Sequence, residues 1–431
     1  MQLPSKWIQQ MGQGAYAAQW AWLYGGDAKG QDARHAGAAK AFARAFGERA
    51  ACFVSAPGRT ELCGNHTDHQ NGHILAAAVT MDMLALAAPR ADGRIRLESE
   101  GYGATDLRLE DLAPRVEEEG TTAALVRGMA ARLAALGHAV GGFDAYVTSA
   151  VPAGSGLSSS AALEVLIGSL FSFLYNGGGL SPVLIAQAGQ YAENRYFGKP
   201  CGLMDQLASA VGGAAALDLE SPEHPRVESI QCDFDAMGHA LYVVNAGGSH
   251  AGLTGEYAAI PAEMGQVAAC FGKTALRQVS KAAFYEALGS LRGKVSDRAL
   301  LRAMHFFSED ERAVALGRAV EEKDVEAYKA IMLASGASSM NRLQNVYPAP
   351  MAEERSVALA LALCEEALGR EGAWRIQGGG FAGTIQALVP HALCGVFEGR
   401  MRAVFGPLCC RRLYIRPVGG YLLKEESSHD E

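Results

Sequence analysis

The chain has 431 residues, 49 % of them hydrophobic, with a net charge of −8; this is more than one core comfortably holds, so two domains are expected. The acidic balance without basic clusters excludes nucleic acid as the main partner, and no uncharged apolar run reaches the roughly 18 residues needed to span a bilayer. Nine cysteines without a C-x-x-C pairing suggest neither a disulfide framework nor a zinc site, and an N-terminus without the apolar core of a signal peptide points to a cytoplasmic protein.

Residues 38–46 read as a helix leading into a strand at 52–56. Between that strand and the apolar run 73–79 lies a dense polar cluster, A-P-G-R-T-E-L-C-G-N-H-T-D-H-Q-N-G. Such a cluster between two buried strands needs solvent or a polar ligand for its hydrogen bonds, and a sugar would serve. An alanine-rich helix is expected at 123–136. From Pro152 the chain reads P-A-G-S-G-L-S-S-S-A-A. There Pro152, Gly154, Ser155, Gly156, Leu157, Ser158, Ser159, Ser160 and Ala161 form a small-residue loop running into a helix whose apolar stripe is Leu163, Leu166, Ile167, Leu170, Phe171 and Leu174.

A helix N-terminus leaves backbone N–H groups unpaired and carries partial positive charge, so this layout suits a polyphosphate. No G-K-[ST] closes it, so it is not a Walker loop. Alone, it also fits a plain turn with a serine cap.

Further along, residues 184–196 read as a helix delivering Glu193, and 198–204 as a loop. A boundary is expected near 219–225, then a strand at 240–246 and several helices between 258 and 370. Within these, 266–292 reads as a surface addition without a function. Candidate strands at 374–377 and 385–389 flank Q-G-G-G-F-A-G, where backbone must approach something closely or simply make a hairpin turn. The charged tail 424–431 is expected to be disordered. Patterning alone gives mixed α and β without the rhythm of a Rossmann protein.

These segments, in this order, resemble the GHMP kinases and, within them, the galactokinase family. The stretch beginning A-P-G-R is similar to the family's sugar signature, commonly G-R-x-N-x-I-G-E-H-T-D-Y-x-x-G. Residues 192–206, A-E-N-R-Y-F-G-K-P-C-G-L-M-D-Q, match its catalytic-aspartate segment, and 302–312 is also similar. The likeness runs from about residue 39 to 417.

The resemblance implies an α+β architecture of two domains: an N-terminal domain (1–220) like ribosomal protein S5 domain 2, a ferredoxin-like C-terminal domain (221–423), and a cleft between them. It implies transfer of the γ-phosphoryl group of MgATP to the anomeric hydroxyl of α-D-galactose. By the same resemblance Asp205 is the catalytic carboxylate and Arg59 the arginine beside it. Ser158 or Ser159 and Glu193 would hold Mg2+, the loop 152–161 ATP, and Asn65, His66, Asp68, Gly202 and Tyr257 the sugar. Gly378, Gly379, Gly380 and Gly383 would support the phosphate loop.

Each residue also has a plainer reading: a helix cap for Asp205, a solvated face for Glu193, a core histidine for His66, an ordinary buried tyrosine for Tyr257. Most of the family carries Glu where this chain has Asn65, a neutral donor and acceptor. A related sugar such as N-acetylgalactosamine, or a catalytically silent sugar sensor, is therefore the alternative. Since phosphoryl transfer has a loose transition state, an aspartate paired with Arg59 is expected to keep a low pKa and to orient the acceptor hydroxyl, taking its proton late.

Overall fold

The computed structural model describes residues 1–152, 154, 156–248, 252–351 and 353–424. Ser155 and the expected tail beyond Lys424 lie outside the described residues. Three helices open the chain, α1 (Pro4–Gly12), α2 (Ala17–Tyr24) and α3 (Gln31–Phe46). There follow β1 (Cys52–Cys63), β2 (His73–Arg90), β3 (Arg94–Ser99), β4 (Ala104–Arg108), α4 (Thr122–Ala135) and β5 (Gly142–Ser149). Next come α5 (Ser159–Tyr175), α6 (Pro182–Ala192), a π-turn (Glu193–Phe197), α7 (Met204–Val211), β6 (Ala214–Asp218), β7 (Arg226–Ile230) and β8 (His239–Gly247). The rest comprises α8 (Thr254–Ala269), α9 (Lys281–Leu291), α10 (Asp297–Glu321), α11 (Val325–Ser338), α12 (Ser356–Leu368), β9 (Ala373–Ile376), β10 (Gly383–Pro390), α13 (Cys394–Phe405), β11 (Cys410–Leu413) and β12 (Tyr421–Leu422).

Local chemistry sets several of these boundaries. Thr121, Ser181, Ser280, Ser296 and Asp324 each cap a helix with a side-chain oxygen, satisfying a first-turn N–H that has no partner within the helix. Pro182 follows its serine at the position where a missing N–H costs nothing.

The first sheet runs β12-β1-β2-β5-β3-β4, with β6 on the first half of β2 and β7 on β6. Every residue of β1 is buried, and the period of two divides its side chains between layers. Cys52, Val54 and Ala56 join the core under α4–α7. Phe53 packs instead with Trp7, Tyr16, Trp20 and Phe42 of the opening helices. The second sheet, β11-β8-β10-β9, is antiparallel and is backed by α12 and α13. A further apolar layer draws on both sheets, with Leu62, Leu75 and Val151 beside Leu241, Val243 and Leu388.

The expected division at residue 220 falls in the β6–β7 hairpin, whose strands pair from Asp218↔Arg226 to Ala214↔Ile230. Strand pairing therefore carries the first sheet to Ile230. The end of the chain returns to it as well: Leu422 pairs with Val54 and Tyr421 with Ser55. Just before, Arg416 Nη1 donates to Asp82 Oδ2 at 2.6 Å, and both side chains are fully buried.

Segment 266–292 is not one helix on the surface. It breaks after Ala269, and Leu276, Phe284 and Leu291 are buried against α10. The Leu276 N–H donates to Gln70 Oε1 at 2.9 Å, and Arg277 reaches Asp218 and Asp310 at 3.2 Å each. The break lets this segment brace the polar loop 64–72.

Candidate active site

Strand β1 extends through Arg59 and Glu61, so the polar loop is confined to residues 64–72. The β1–β2 ladder is irregular between Pro57 and Arg59 and between Glu61 and Cys63; bulges of this kind re-aim side chains. Arg59 Nε donates to Asp205 Oδ1 at 2.7 Å, and Nη2 lies 2.7 Å from the same oxygen. Its Nη1 donates to Gly156 O, and its backbone N–H to Leu157 O at 3.0 Å. Asp205, in the first turn of α7, receives the Ser158 hydroxyl on Oδ2 at 2.6 Å. Burial alone would raise this carboxyl, but the Arg59 charge and the hydrogen bonds from Arg59 and Ser158 outweigh it and hold it below the ordinary aspartate value.

Ser158 precedes α5 in the left-handed region, φ 55°, and no side chain caps that helix. Its hydroxyl is turned to Asp205, leaving the first-turn N–H groups at 159–161 to an anion. Leu157 and Ala161 bury their side chains, so they contribute backbone only. Gly156 also has positive φ, +69°, and a Cβ there would lie 2.2 Å from Thr384 Oγ1. Gln377 Nε2 donates to Gly156 O at 3.3 Å, tying the glycine-rich turn at 377–383 to the phosphate loop. Of the described non-glycine residues with positive φ, His66 and Asn71 (60° each) fall in the polar loop, Ser158 (55°) in the serine loop and Phe381 (65°) in the glycine turn. Such conformations cost about 1–3 kcal/mol each and persist where the surroundings over-determine them, typically at functional sites.

Glu193 opens the π-turn after α6 and is buried. Its Oε1 accepts from Ser160 Oγ at 3.0 Å and Lys199 Nζ at 2.9 Å, its Oε2 from Gln206 Nε2 at 2.9 Å. Ser160 is thus the hydroxyl on Glu193, whereas Ser158 serves Asp205 and Ser159 is half-buried beside them. The same Gln206 amide donates to Glu164 Oε2 at 2.9 Å. Burial, and then the Glu193 charge, push the Glu164 carboxyl well above the ordinary glutamate value. Its Oε1 is buried without a partner among the described residues. Sequence reasoning passed over Glu164, although a charged residue inside the apolar α5 stripe is a visible signal.

Among the described residues no group of three or more His, Cys, Asp or Glu could enclose a metal. The Glu193 carboxylate and the Ser160 hydroxyl are oxygen donors of the kind a hard cation takes with water and phosphate, while the Lys199 ammonium and the Gln206 amide nitrogen bond the same carboxylate.

Asp68 packs against the backbone of Gly202, where a Cβ would fall 1.8 Å from its Oδ2. His66 Nε2 lies 2.9 Å from Gly379 O; a carbonyl only accepts, so that nitrogen carries the proton and Nδ1 is the acceptor. Burial, and then His69, lower the His66 pKa to about 4, keeping the ring neutral. Tyr257 Oη donates to Gly380 O at 2.7 Å, and its ring leaves no room for a Cβ on Gly379, 2.8 Å away. His66 and Tyr257 therefore both hold the glycine turn, and Asp68, packed on Gly202, lies within electrostatic reach of His66.

Asn65 is turned into the protein. It is fully buried, and its Nδ2 donates to Gly378 O at 2.7 Å and to Glu61 Oε1 and Oε2 at 3.2 and 3.3 Å. Its Oδ1 accepts from Asn345 Nδ2 at 2.9 Å. With both ends engaged, Asn65 fixes the loop and has nothing left for a sugar hydroxyl. Glu61 in turn is ion-paired to the fully buried Arg375 of β9. The 302–312 block has the same purpose: His305 Nε2 donates to Asn65 O at 2.9 Å, and Glu309 Oε1 accepts the Gly64 N–H at 3.2 Å.

Two family models match. The galactokinase galactose-binding signature covers residues 40–89, and the GHMP kinases N terminal domain covers 124–213. The chain is 36 % identical over 341 residues to a galactokinase of Streptomyces coelicolor, spanning 78 % of this chain and 84 % of that one. Its fold is similar to that of Lactococcus lactis galactokinase crystallised with galactose, at TM-score 0.76 and 24 % identity over 90 % of this chain and 98 % of the other. It is also similar to Methanococcus jannaschii mevalonate kinase, at TM-score 0.60 and 14 % identity over 85 % and 98 %. No helix of the described residues is long and apolar enough to cross a membrane. The α+β fold and the sugar-signature and kinase-domain matches agree with this likeness along the chain, which belongs to the galactokinase family of the GHMP kinases.

Proposed function

We propose that this protein transfers the γ-phosphoryl group of ATP to the anomeric hydroxyl of α-D-galactose. The observation that carries this is the Arg59–Asp205–Ser158 constellation: an ionised, doubly held carboxylate joined to the loop before α5 and three residues after Gly202, on which Asp68 packs. Such a carboxylate is a poor early base at neutral pH. It suits a loose transition state, in which it orients the acceptor hydroxyl and takes its proton as the new P–O bond forms and the bond to ADP breaks. Arg59 and the α5 N–H groups face the charge of the phosphates.

Glu193 with the nearby serine hydroxyls would hold Mg2+, which supplies neutralisation of phosphate charge. All nine thiols are free, in keeping with work in a reducing cytosol.

Because Asn65 is saturated by protein partners, its difference from the family no longer argues for a related sugar. A sugar panel with ADP release as readout tests the reading: galactose-dependent ADP formation is expected. Activity on another sugar and none on galactose would overturn it, as would binding of both ligands without turnover.

A further inference from the structure

Lys199 lies between the π-turn and α7, flanked by Gly198 and Pro200. Its ammonium is 2.9 Å from Glu193 Oε1, the oxygen that also accepts the Ser160 hydroxyl. The two partners differ sharply in freedom: the carboxylate side chain is 2 % exposed and the lysine side chain 59 %. Gln206 pins the other carboxylate oxygen from inside. The lysine hangs on a flexible four-carbon stem in solvent. Its field also reaches Asp205 and Tyr257, so the ammonium sits among the groups assigned to catalysis and sugar binding.

A divalent cation on Glu193 Oε1 would stand within contact range of this ammonium. Two positive charges that close repel strongly where buried groups limit screening. Ser160 is neutral and carries no such penalty. The lysine is the member that can leave, since its own side chain is largely in solvent and its ammonium can be rehydrated while the buried carboxylate stays pinned by Gln206.

We propose that Lys199 is a displaceable counter-ion of Glu193, a positioning residue that competes with the divalent cation for one carboxylate oxygen and so sets how tightly that cation is held. The proposal rests on the reading of Glu193 as the metal carboxylate.

The test is titration of the full-length enzyme with Mn2+ at saturating ADP, fixed pH and fixed ionic strength, with free Mn2+ read by electron paramagnetic resonance. Lys199→Met and Lys199→Gln are expected to bind Mn2+ about fivefold tighter, and Lys199→Arg within about twofold of the parent. Unchanged or weaker Mn2+ binding in both neutral variants overturns the proposal. Glu193→Gln separates the two levels. A loss of about tenfold or more in Mn2+ affinity keeps Glu193 as a ligand. Unchanged affinity overturns that reading, and the competition with it.

Discussion

Asn65 donates its amide to both oxygens of Glu61, at 3.2 and 3.3 Å, and the two residues exchange the types found in the family signature. That signature reads G-R-x-N-x-I-G-E, whereas this chain reads G-R-T-E-L-C-G-N from Gly58. The amide and the carboxylate have traded places across one contact. Asn65→Glu is therefore expected to set two carboxylates against each other in a buried site and to destabilise the fold by about 3 kcal/mol. The double variant Glu61→Asn/Asn65→Glu is expected to recover at least about 1 kcal/mol of that loss, as residues in contact do. Urea midpoints of the four proteins measure the coupling; strictly additive losses would mean the exchange is not compensatory.

Asp205→Asn keeps the shape and removes the charge that Arg59 and Ser158 hold. Turnover is expected to fall roughly a hundredfold or more, with galactose affinity changed far less. Steady-state kinetics paired with equilibrium sugar binding separate the two. Near-normal turnover would take Asp205 out of the reaction.

Gly202→Ala acts on the sugar side alone. The added methyl has nowhere to go but into Asp68 Oδ2, 1.8 Å away, so the carboxylate must turn. A displacement of that size is expected to raise the galactose KM by about tenfold or more, while the KM for ATP stays close to the parent. Equal effects on both would show that the whole cleft had shifted.

His35 supplies a pH dependence of stability. Burial, and then the Arg34 charge, lower its pKa to about 3, while in the unfolded chain it is near 6.5. Between those values the unfolded state binds the extra proton, so stability rises with pH and is lost as pH falls from about 6.5 toward 3. At pH 5 the loss from His35 is roughly 2 kcal/mol. His66, lowered to about 4, adds to it in the same direction. Chemical denaturation at pH 7.5 and 5.0 is expected to show the drop in the parent and a smaller drop in His35→Phe. Equal drops would assign it to other groups.

The legible parts of this molecule were those where chemistry is local in sequence. The small-residue loop running into an apolar stripe marked the start of α5. The polar run from Arg59 to Asn71 was read as needing solvent or ligand, because nothing nearby could satisfy it. The protein offers a third answer that one sequence hides. Arg375, Gln386, Asn345 and Glu309 arrive from far along the chain to bond Glu61, Thr60, Asn65 and Gly64. For the same reason Asn65 was placed against the sugar, and Gln206 and Lys199 went unnoticed beside residues that were singled out. Segment 266–292 carries no motif, and its bracing of Gln70 exists only in three dimensions.

The return of Tyr421 and Leu422 to β1, with Arg416 closing on Asp82, ties residues on either side of the second sheet to one strand pair. Asp82 is held from both directions in sequence, by Arg34 before it and by Arg416, 334 residues beyond it. A substitution that loosens the 416–422 segment therefore weakens the first sheet as well, because β1 loses an edge partner and a buried carboxylate loses one of its two guanidinium groups.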